Sequence, residues 1–149
     1  MATIDVRDFK RGAIMPKIKH IALTANDVDK VADFWKELFD MEEVGRSGGT
    51  HIYLSDGEMN LTIRKAKQAD DADVGAQGAD FCGIHHIGFT VDDIPEFVKK
   101  AEKAGGIRLT SQPEPSVDAP LRGHSNADVK FSGPDGVIFD MSQYGWIGN

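Results

Sequence analysis

The sequence predicts an α+β protein in which two βαβββ modules follow one another within one structural domain. The main observation is an internal repeat, because Ile18–Val28 is echoed without a gap by Ile84–Ile94, 66 residues later. A second observation is that each copy changes from the alternating pattern of a strand to the apolar spacing of a helix. The third is size, since 149 residues with 40% hydrophobic content suffice for one core.

The first module is predicted over residues 17–65. Its opening strand, residues 18–25, is followed by a helix whose N-cap candidates are Asn26 and Asp27. This helix carries an apolar stripe that we expect to pack in the core: Val28, Val31, Phe34, Trp35, Leu38 and Phe39. Three shorter runs with strand character come next, at residues 43–44, 51–54 and 59–63.

The second module, residues 83–149, repeats this order. Its strand over residues 84–91 leads to a helix in which Pro95 suits the first turn and Gly105 suits the end. The apolar stripe of that helix consists of Ile94, Phe97, Val98, Ala101 and Ala104. Strand-like runs follow at residues 107–110, 129–131 and 137–141, and they complete a second βαβββ unit.

Two segments lie outside the modules. Residues 1–16 precede the repeat and are interpreted as an N-terminal extension. Residues 66–82 are interpreted as a linker, because they are rich in Ala, Asp, Gly and Gln and contain few large apolar residues. Three aspartates of this linker lack the spacing of a calcium-binding loop and are expected to be solvated: Asp70, Asp71 and Asp73.

Composition argues against several kinds of partner. The formal charge of −7 opposes binding to nucleic acid or to an anionic membrane. No apolar run approaches the roughly 20 residues of a membrane span, and the first ten residues have no signal-peptide core. The single cysteine, Cys82, has no CxxC spacing and is expected to be a small buried residue. We therefore expect a cytoplasmic protein.

Strand alternation separates the histidines of the repeat. On the first strand His20 shares a face with Ala22, and on the matching strand His86 shares a face with Gly88. The neighbouring His85 falls on the opposite face by the same rule. Because Ala22 and Gly88 are very small, they leave room over the shared face, which predicts a lined cavity beside both histidines.

A third polar group interrupts the apolar final strand. Asp140 is costly to bury unless its carboxylate is paired, hydrogen-bonded or bound to a metal. Two imidazoles and one carboxylate on three separate strands suit an octahedral divalent metal that is held on one side and open on the other. The sequence therefore predicts a metal site formed by His20, His86 and Asp140.

Three motifs carry a family resemblance: Lys19–Leu23, His86–Asp93 and Gly133–Asp140. Over residues 17–146 the chain resembles the vicinal oxygen chelate superfamily, which includes glyoxalases, bleomycin-resistance proteins and extradiol dioxygenases. The resemblance implies a curved mixed sheet that cups one divalent metal ion per chain, and it suggests a homodimer. It also implies a carboxylate ligand four residues after Gly136, where this chain has Asp140 in place of the family's usual Glu.

The first module offers no clear fourth ligand. Leu61 lies where glyoxalase-like and epimerase-like members are expected to carry Glu, Gln or His, and Asn60 and Thr62 are weak ligands for a transition metal. Three protein ligands leave enough positions on the ion for a chelating substrate and dioxygen. The number of ligands therefore favours Fe(II), with Mn, Ni, Zn or Co also open.

Three classes of function stay open for a small-molecule substrate. The favoured class is an Fe(II)-dependent dioxygenase whose substrate chelates the metal through vicinal oxygens. The second is a glyoxalase-like lyase, or an epimerase or isomerase, acting through an enediolate on Ni, Zn, Co or Mn. The third is a bleomycin-resistance-type binding protein without a metal. Catalytic residues are not assigned, and four side chains are pocket candidates by residue type alone: His51, Tyr53, Arg122 and His124.

Overall fold

The computed structural model describes residues 15–110 and 129–148. Its elements follow the order β1 (Lys17–Ala25), α1 (Val28–Phe39), β2 (Glu42–Ser47), β3 (His51–Ser55), β4 (Asn60–Lys65), β5 (Gly83–Thr90), α2 (Ile94–Lys103), β6 (Ile107–Arg108), β7 (Val129–Ser132) and β8 (Ile138–Ser142). A short 3-10 turn at Pro134–Gly136 precedes β8. This order confirms the predicted α+β architecture of two tandem βαβββ modules.

The described strands form one mixed sheet in the order β2-β3-β4-β1-β5-β8-β7-β6. The first strands of the two copies, β1 and β5, pair antiparallel at its centre. Each is flanked on its other side by the last strand of its own copy, in a parallel pair. The central ladder places Ala22 opposite His86 and His20 opposite Gly88, so the repeated histidines lie on neighbouring strands.

The central ladder contains a register shift in each strand. One shift lies between the pairs made by Ile18 and His20, which leaves Lys19 as an extra residue of β1. The other lies between the pairs made by His86 and Ile84, which leaves His85 as an extra residue of β5. Lys19 and His85 are equivalent positions of the repeat, each directly before a repeated histidine. Because a bulge redirects side chains, simple alternation does not hold at His85.

Both helices begin at a predicted cap. The side chain of Asp27 accepts a hydrogen bond from the backbone N–H of Lys30, and that of Asp93 accepts one from Glu96, each at 3.0 Å. Pro95 lies in the first turn of α2. The helices pack on one face of the sheet, where two apolar clusters form around Ala25, Val28, Ala32, Ile52, Leu54 and Ile63 and around Val91, Ile94, Val98, Val129, Phe131 and Met141.

The apolar stripe of α1 is only partly buried. Val28, Ala32 and Trp35 share one helix face, which packs against the sheet. Phe34, Leu38 and Phe39 are 56%, 55% and 62% exposed. Phe34 and Leu38 lie to the side of the packed face, and Phe39 ends the helix. The expectation that the whole stripe lies in the core is therefore wrong.

Two other expectations concern residues outside the core. Cys82 is exposed rather than buried, because it lies in the loop that enters β5, one residue outside the sheet. Arg122 and His124 fall in residues 111–128, which lie outside the described residues. Residues 1–14 of the predicted extension also lie outside them. No helix of the described residues is both long and apolar enough to cross a membrane.

Candidate metal centre

The three predicted ligands meet on the sheet face opposite the helices. His20 lies on β1, His86 on β5 and Asp140 on β8, and all three side chains are buried. The Nε2 atoms of the two histidines are 3.2 Å apart. Oδ2 of Asp140 lies 3.1 Å from Nε2 of His86 and 3.8 Å from Nε2 of His20. One nitrogen or oxygen from each residue therefore converges within 4.8 Å, a group that could hold a metal ion.

Asn60 orients His20. Its Oδ1 lies 2.7 Å from Nδ1 of His20, while its Nδ2 donates to the carbonyl oxygen of Ile147 at 2.9 Å. Because the amide oxygen only accepts, Nδ1 of His20 carries the proton and Nε2 keeps a lone pair. Asn60, a weak ligand by residue type, is thus the partner that turns a ligand nitrogen toward the centre of the site.

The surroundings of the Asp140 carboxylate test whether the three residues fit a metal ion. Its Oδ1 accepts a hydrogen bond from Nζ of Lys130 at 2.8 Å. Its Oδ2 is fully buried and has no hydrogen-bond partner among the described residues. A buried carboxylate oxygen without a donor, next to the lone pair of His20, lacks a positive partner. Imidazole nitrogens and a carboxylate oxygen are ligands that divalent transition metals accept, so the residues fit such an ion.

The protonation states agree with this fit. Burial lowers the pKa of His20 to about 4 and also lowers the pKa of His86, so both imidazoles are neutral at pH 7. Burial alone raises the pKa of Asp140, but the charge of Lys130 and the contact with His86 outweigh it and hold that pKa below its usual range. The site therefore presents two neutral imidazoles and one carboxylate, the forms that bind metals.

Lys130 links the candidate metal centre to a buried ion pair. Its Nζ lies 2.8 Å from Oδ1 of Asp140, 3.3 Å from Nε2 of His86 and 3.4 Å from Oδ2 of Asp73. Asp73 in turn accepts two hydrogen bonds from Nζ of Lys67, at 2.7 and 2.8 Å, and both residues are buried. The expectation that Asp73 is a solvated linker residue is therefore wrong, because its carboxylate pairs with Lys67 of the same linker and with Lys130 of β7.

Sequence reasoning did not single out the lysines of this network. Lys130 lies between Val129 and Phe131, both fully buried, so alternation alone places its side chain on the face of the metal centre. That signal was present in the sequence. No local pattern indicates that Lys67 and Asp73 pair, because both belong to an irregular segment.

The Asp73–Lys67 pair predicts a specific dependence of stability on pH. Burial raises the pKa of Asp73, but the hydrogen bond from Lys67 and the charge of Lys130 outweigh it and lower that pKa from 3.8 to about 2. A carboxyl with a depressed folded pKa stabilises the fold above its unfolded pKa and loses that contribution as the pH falls to the folded value. The free energy of unfolding of the wild type should therefore approach that of Asp73→Asn between pH 3.8 and about pH 2. Urea denaturation of both proteins tests this, and a constant difference across the window would contradict it.

The room expected beside Gly88 is filled. The indole of Trp146 stacks on the ring of His20, with centroids 4.6 Å apart and planes 5° apart. A Cβ on Gly88 would lie 2.7 Å from the Trp146 ring and 2.9 Å from Cβ of His20. The small residue therefore admits an aromatic ring of the same chain, and the prediction of open room at this point is wrong.

Two hydrogen bonds between the segment after β8 and the first module hold Trp146 in place. The carbonyl oxygen of Ile147 accepts from Asn60, and that of Gly148 accepts from the hydroxyl of Ser55. The C-terminal segment thus crosses from the second module to the first and covers one side of the candidate metal centre.

The two described pocket candidates lie on β3, separated from His20 by β4. Nδ1 of His51 lies 2.8 Å from Oγ1 of Thr50, and burial, followed by the charge of Arg64, lowers the pKa of His51 to about 4. Tyr53 is buried opposite Thr62. His51 is not in the group that could hold a metal. A substrate-binding role for His51 or Tyr53 stays a prediction.

Several solved structures share this fold. Hypothetical protein BH1468 from Bacillus halodurans C-125 is 20% identical, with 85% of this chain and 92% of that chain covered and a TM-score of 0.61. A methylmalonyl-CoA epimerase in complex with methylmalonyl-CoA and NH4+ is 18% identical, with coverages of 90% and 99% and a TM-score of 0.61. A Streptomyces coelicolor methylmalonyl-CoA epimerase in complex with 2-nitronate-propionyl-CoA is 17% identical, with coverages of 84% and 94% and a TM-score of 0.58.

A search of curated proteins found no match. The family profile described as Glyoxalase/Bleomycin resistance protein/Dioxygenase superfamily matches residues 17–141, which include all three candidate ligands. The match spans both modules and agrees with the resemblance found in the motifs. The chain belongs to the Glyoxalase/Bleomycin resistance protein/Dioxygenase superfamily.

Proposed function

We propose that this chain is a metal-dependent enzyme that moves a proton at a carbon next to a carbonyl group, as an epimerase or isomerase does. One divalent metal is held by His20, His86 and Asp140. The observation that carries this proposal is the position of Lys130, whose Nζ lies 3.3 Å from Nε2 of His86 and 2.8 Å from Oδ1 of Asp140. An amine beside the ligand atoms is suited to proton transfer at a substrate bound there.

The roles of the chain's residues follow from their contacts. A metal held by His20, His86 and Asp140 would supply a Lewis acid for a carbonyl oxygen of the substrate. Asn60 and the stacked Trp146 hold His20 in its orientation. Lys130 would keep Asp140 and Asp73 as partners when Nε2 of His86 holds the metal, so its Nζ would lie beside a substrate bound there. As the free amine it would take the proton of the substrate C–H, and as the ammonium it would return that proton to the carbon.

The solved structures support an acyl substrate. Two of them are methylmalonyl-CoA epimerases in complex with CoA thioesters, one of them methylmalonyl-CoA. Methylmalonyl-CoA has an acidic C–H next to a thioester carbonyl, which is the group that the proposed reaction requires. We therefore propose small acyl compounds with such a C–H as the substrate class of this chain, and Ni, Zn, Co or Mn as suitable metals.

A second candidate function is an Fe(II)-dependent dioxygenase. It is favoured by the number of protein ligands. Asn60 lies opposite His20 on β4, but its side chain is already hydrogen-bonded to His20 and to Ile147 and therefore does not serve as a fourth ligand. Three protein ligands leave positions for a chelating substrate and dioxygen. A binding protein without a metal fits less well, because it leaves the buried Oδ2 of Asp140 without a hydrogen-bond partner in the described part of the chain. A homodimer is also proposed, and the exposed apolar residues of α1, Phe34 and Leu38, are consistent with it.

Proton exchange in heavy water tests the proposal. Apoprotein is reconstituted anaerobically with Co(II), Ni(II), Mn(II), Zn(II) or Fe(II), and methylmalonyl-CoA and simpler acyl thioesters are added in D2O. NMR measures deuterium incorporation, and an electrode measures oxygen uptake in a parallel aerobic sample. Deuterium exchange without oxygen uptake is expected. Oxygen uptake with Fe(II) and no exchange would instead establish the dioxygenase.

The variant Lys130→Arg isolates the proposed proton transfer. Arginine keeps a positive charge beside Asp140, but its guanidinium does not release its proton at physiological pH. We expect metal binding to persist and exchange to fall by roughly 10²–10⁴-fold, the usual contribution of general acid–base catalysis. Lys65→Arg, at an exposed lysine that ends β4, is the matched control and should leave exchange unchanged. Unaltered exchange in Lys130→Arg would contradict the assigned role.

A further inference from the structure

His85 contacts the outer nitrogen of His86. It is the residue that the central ladder leaves unpaired just before His86. Its Nδ1 lies 2.7 Å from Nδ1 of His86, and its Nε2 lies 3.4 Å from the carbonyl oxygen of Val74. The two rings meet at an interplanar angle of 84° with centroids 5.0 Å apart. The bulge therefore brings His85 to His86 from behind the ligand cluster, where strict alternation would have separated the two rings.

The chemistry of the partners assigns the protons in this chain of contacts. The carbonyl oxygen of Val74 only accepts, so Nε2 of His85 carries a hydrogen. A neutral imidazole has one N–H, so Nδ1 of His85 accepts, and Nδ1 of His86 must donate to it.

The contact of His86 with Lys130 supports the same assignment. The ammonium of Lys130 has donors only and lies 3.3 Å from Nε2 of His86, so it favours an acceptor at that nitrogen, whereas Oδ2 of Asp140, which only accepts, lies 3.1 Å from the same atom. A neutral His86 that accepts at Nε2 carries its proton at Nδ1. The contacts with His85 and Lys130 favour one tautomer, the one that leaves the lone pair of Nε2 beside His20 and Asp140, where a bound cation would offset the close approach of these acceptor atoms.

We infer that His85 is a positioning residue that fixes the tautomer and the ring orientation of His86. The inference rests on the proposed metal site and adds a residue outside the three ligands. His20 has an equivalent partner in Asn60, but that residue lies on the neighbouring strand. The two histidines of the repeat are therefore oriented by two unrelated side chains, an amide for His20 and a bulged imidazole for His86.

A matched pair of variants tests the hydrogen bond. His85→Asn keeps an acceptor near the position of Nδ1, whereas His85→Leu has a similar shape without one. Loss of an outer-shell partner of a metal-bound histidine costs roughly 10–100-fold in metal affinity. We expect a loss of this size for Zn(II) in His85→Leu, measured by competition with a chromophoric chelator, and an affinity near that of the wild type in His85→Asn. Equal losses in the two variants would overturn the inference.

Lys19→Leu is the control at the equivalent bulge. The Nζ of Lys19 donates to the carbonyl oxygen of Glu58 rather than to a histidine, so the Zn(II) affinity should not change. A loss equal to that of His85→Leu would mean that the bulges, and not the imidazole of His85, set the affinity.

The second readout needs no metal. Long-range 1H–15N NMR of the metal-free wild type should show the proton of His86 on Nδ1, and His85→Leu should shift the tautomers toward Nε2–H. A wild-type proton on Nε2 would overturn the inference. If the wild type binds no Zn(II), the proposed metal site fails, while this spectrum still decides the role of His85.

Discussion

Alanine in place of His20 or His86 is expected to abolish divalent-metal binding. Each imidazole contributes one Nε2 to a group of three converging ligand atoms among residues 15–110 and 129–148, so its removal leaves two of these atoms. The loss of affinity should exceed the roughly 10–100-fold that removal of an outer-shell partner costs. Asp140→Ala should have a similar effect, and Asp140→Glu should keep part of the affinity. Metal content after dialysis, together with calorimetric titration of the apoprotein, measures these changes.

His51→Ala is the control for the ligand variants. It removes an imidazole from the same face of the sheet but outside the group that could hold a metal, so its metal content should equal that of the wild type. Wild-type metal binding by His20→Ala would mean that the ion is held elsewhere. Equal loss in His51→Ala would mean that the whole face, rather than the three ligands, determines binding.

Replacing Trp146 by alanine is expected to lower the free energy of unfolding by about 3–5 kcal/mol, as for other buried tryptophans. The Trp146 side chain is 3% exposed and stacks on His20. Its removal leaves a cavity next to Gly88, a strand residue that has no side chain to fill it. Equilibrium denaturation measures the change. Trp35→Ala, at a partly buried tryptophan on α1, should cost less, and equal costs would contradict the central position assigned to Trp146.

The close contact of Gly88 with Trp146 gives a second check by a double-mutant cycle. Gly88→Ala alone should destabilise the protein by about 1–3 kcal/mol, the usual cost of overpacking. The same change in the Trp146→Ala background should cost less, because the ring that a new Cβ would meet at 2.7 Å is gone. Additive effects would show that the two residues do not interact.

The fold and the convergence of His20, His86 and Asp140 were predictable because both depend on short-range regularity. A gapless repeat makes the two first strands equivalent, and alternation then gives His20 and His86 the same face. Asp140 was predictable because a carboxylate within an apolar strand demands a partner. These arguments need only the order of residues within a strand and the expectation that equivalent strands meet.

The remaining features depend on contacts between distant parts of the chain. Trp146 lies in a segment without periodicity, and its position on His20 follows from bonds to the first module. Asp73 contacts Lys130 of β7, far along the chain, and also pairs with Lys67 of its own linker, which no local pattern selects. The prediction that His85 lies on the face opposite His86 assumed an unbroken ladder of strand pairs. A bulge instead inserts His85 as one extra residue, and alternation does not hold there.

The paired bulges at Lys19 and His85 bear on how this chain arose. A register irregularity at the same position of both copies needs only one origin if it preceded the gene duplication. Two identical ancestral halves would have joined through their first strands as a symmetric dimer, in the antiparallel arrangement that β1 and β5 keep today. Fusion then allowed the equivalent positions to diverge independently. At one bulge Lys19 now donates a hydrogen bond to the carbonyl oxygen of Glu58, and at the other the imidazole of His85 contacts His86. A dimer of identical halves could not have encoded this difference.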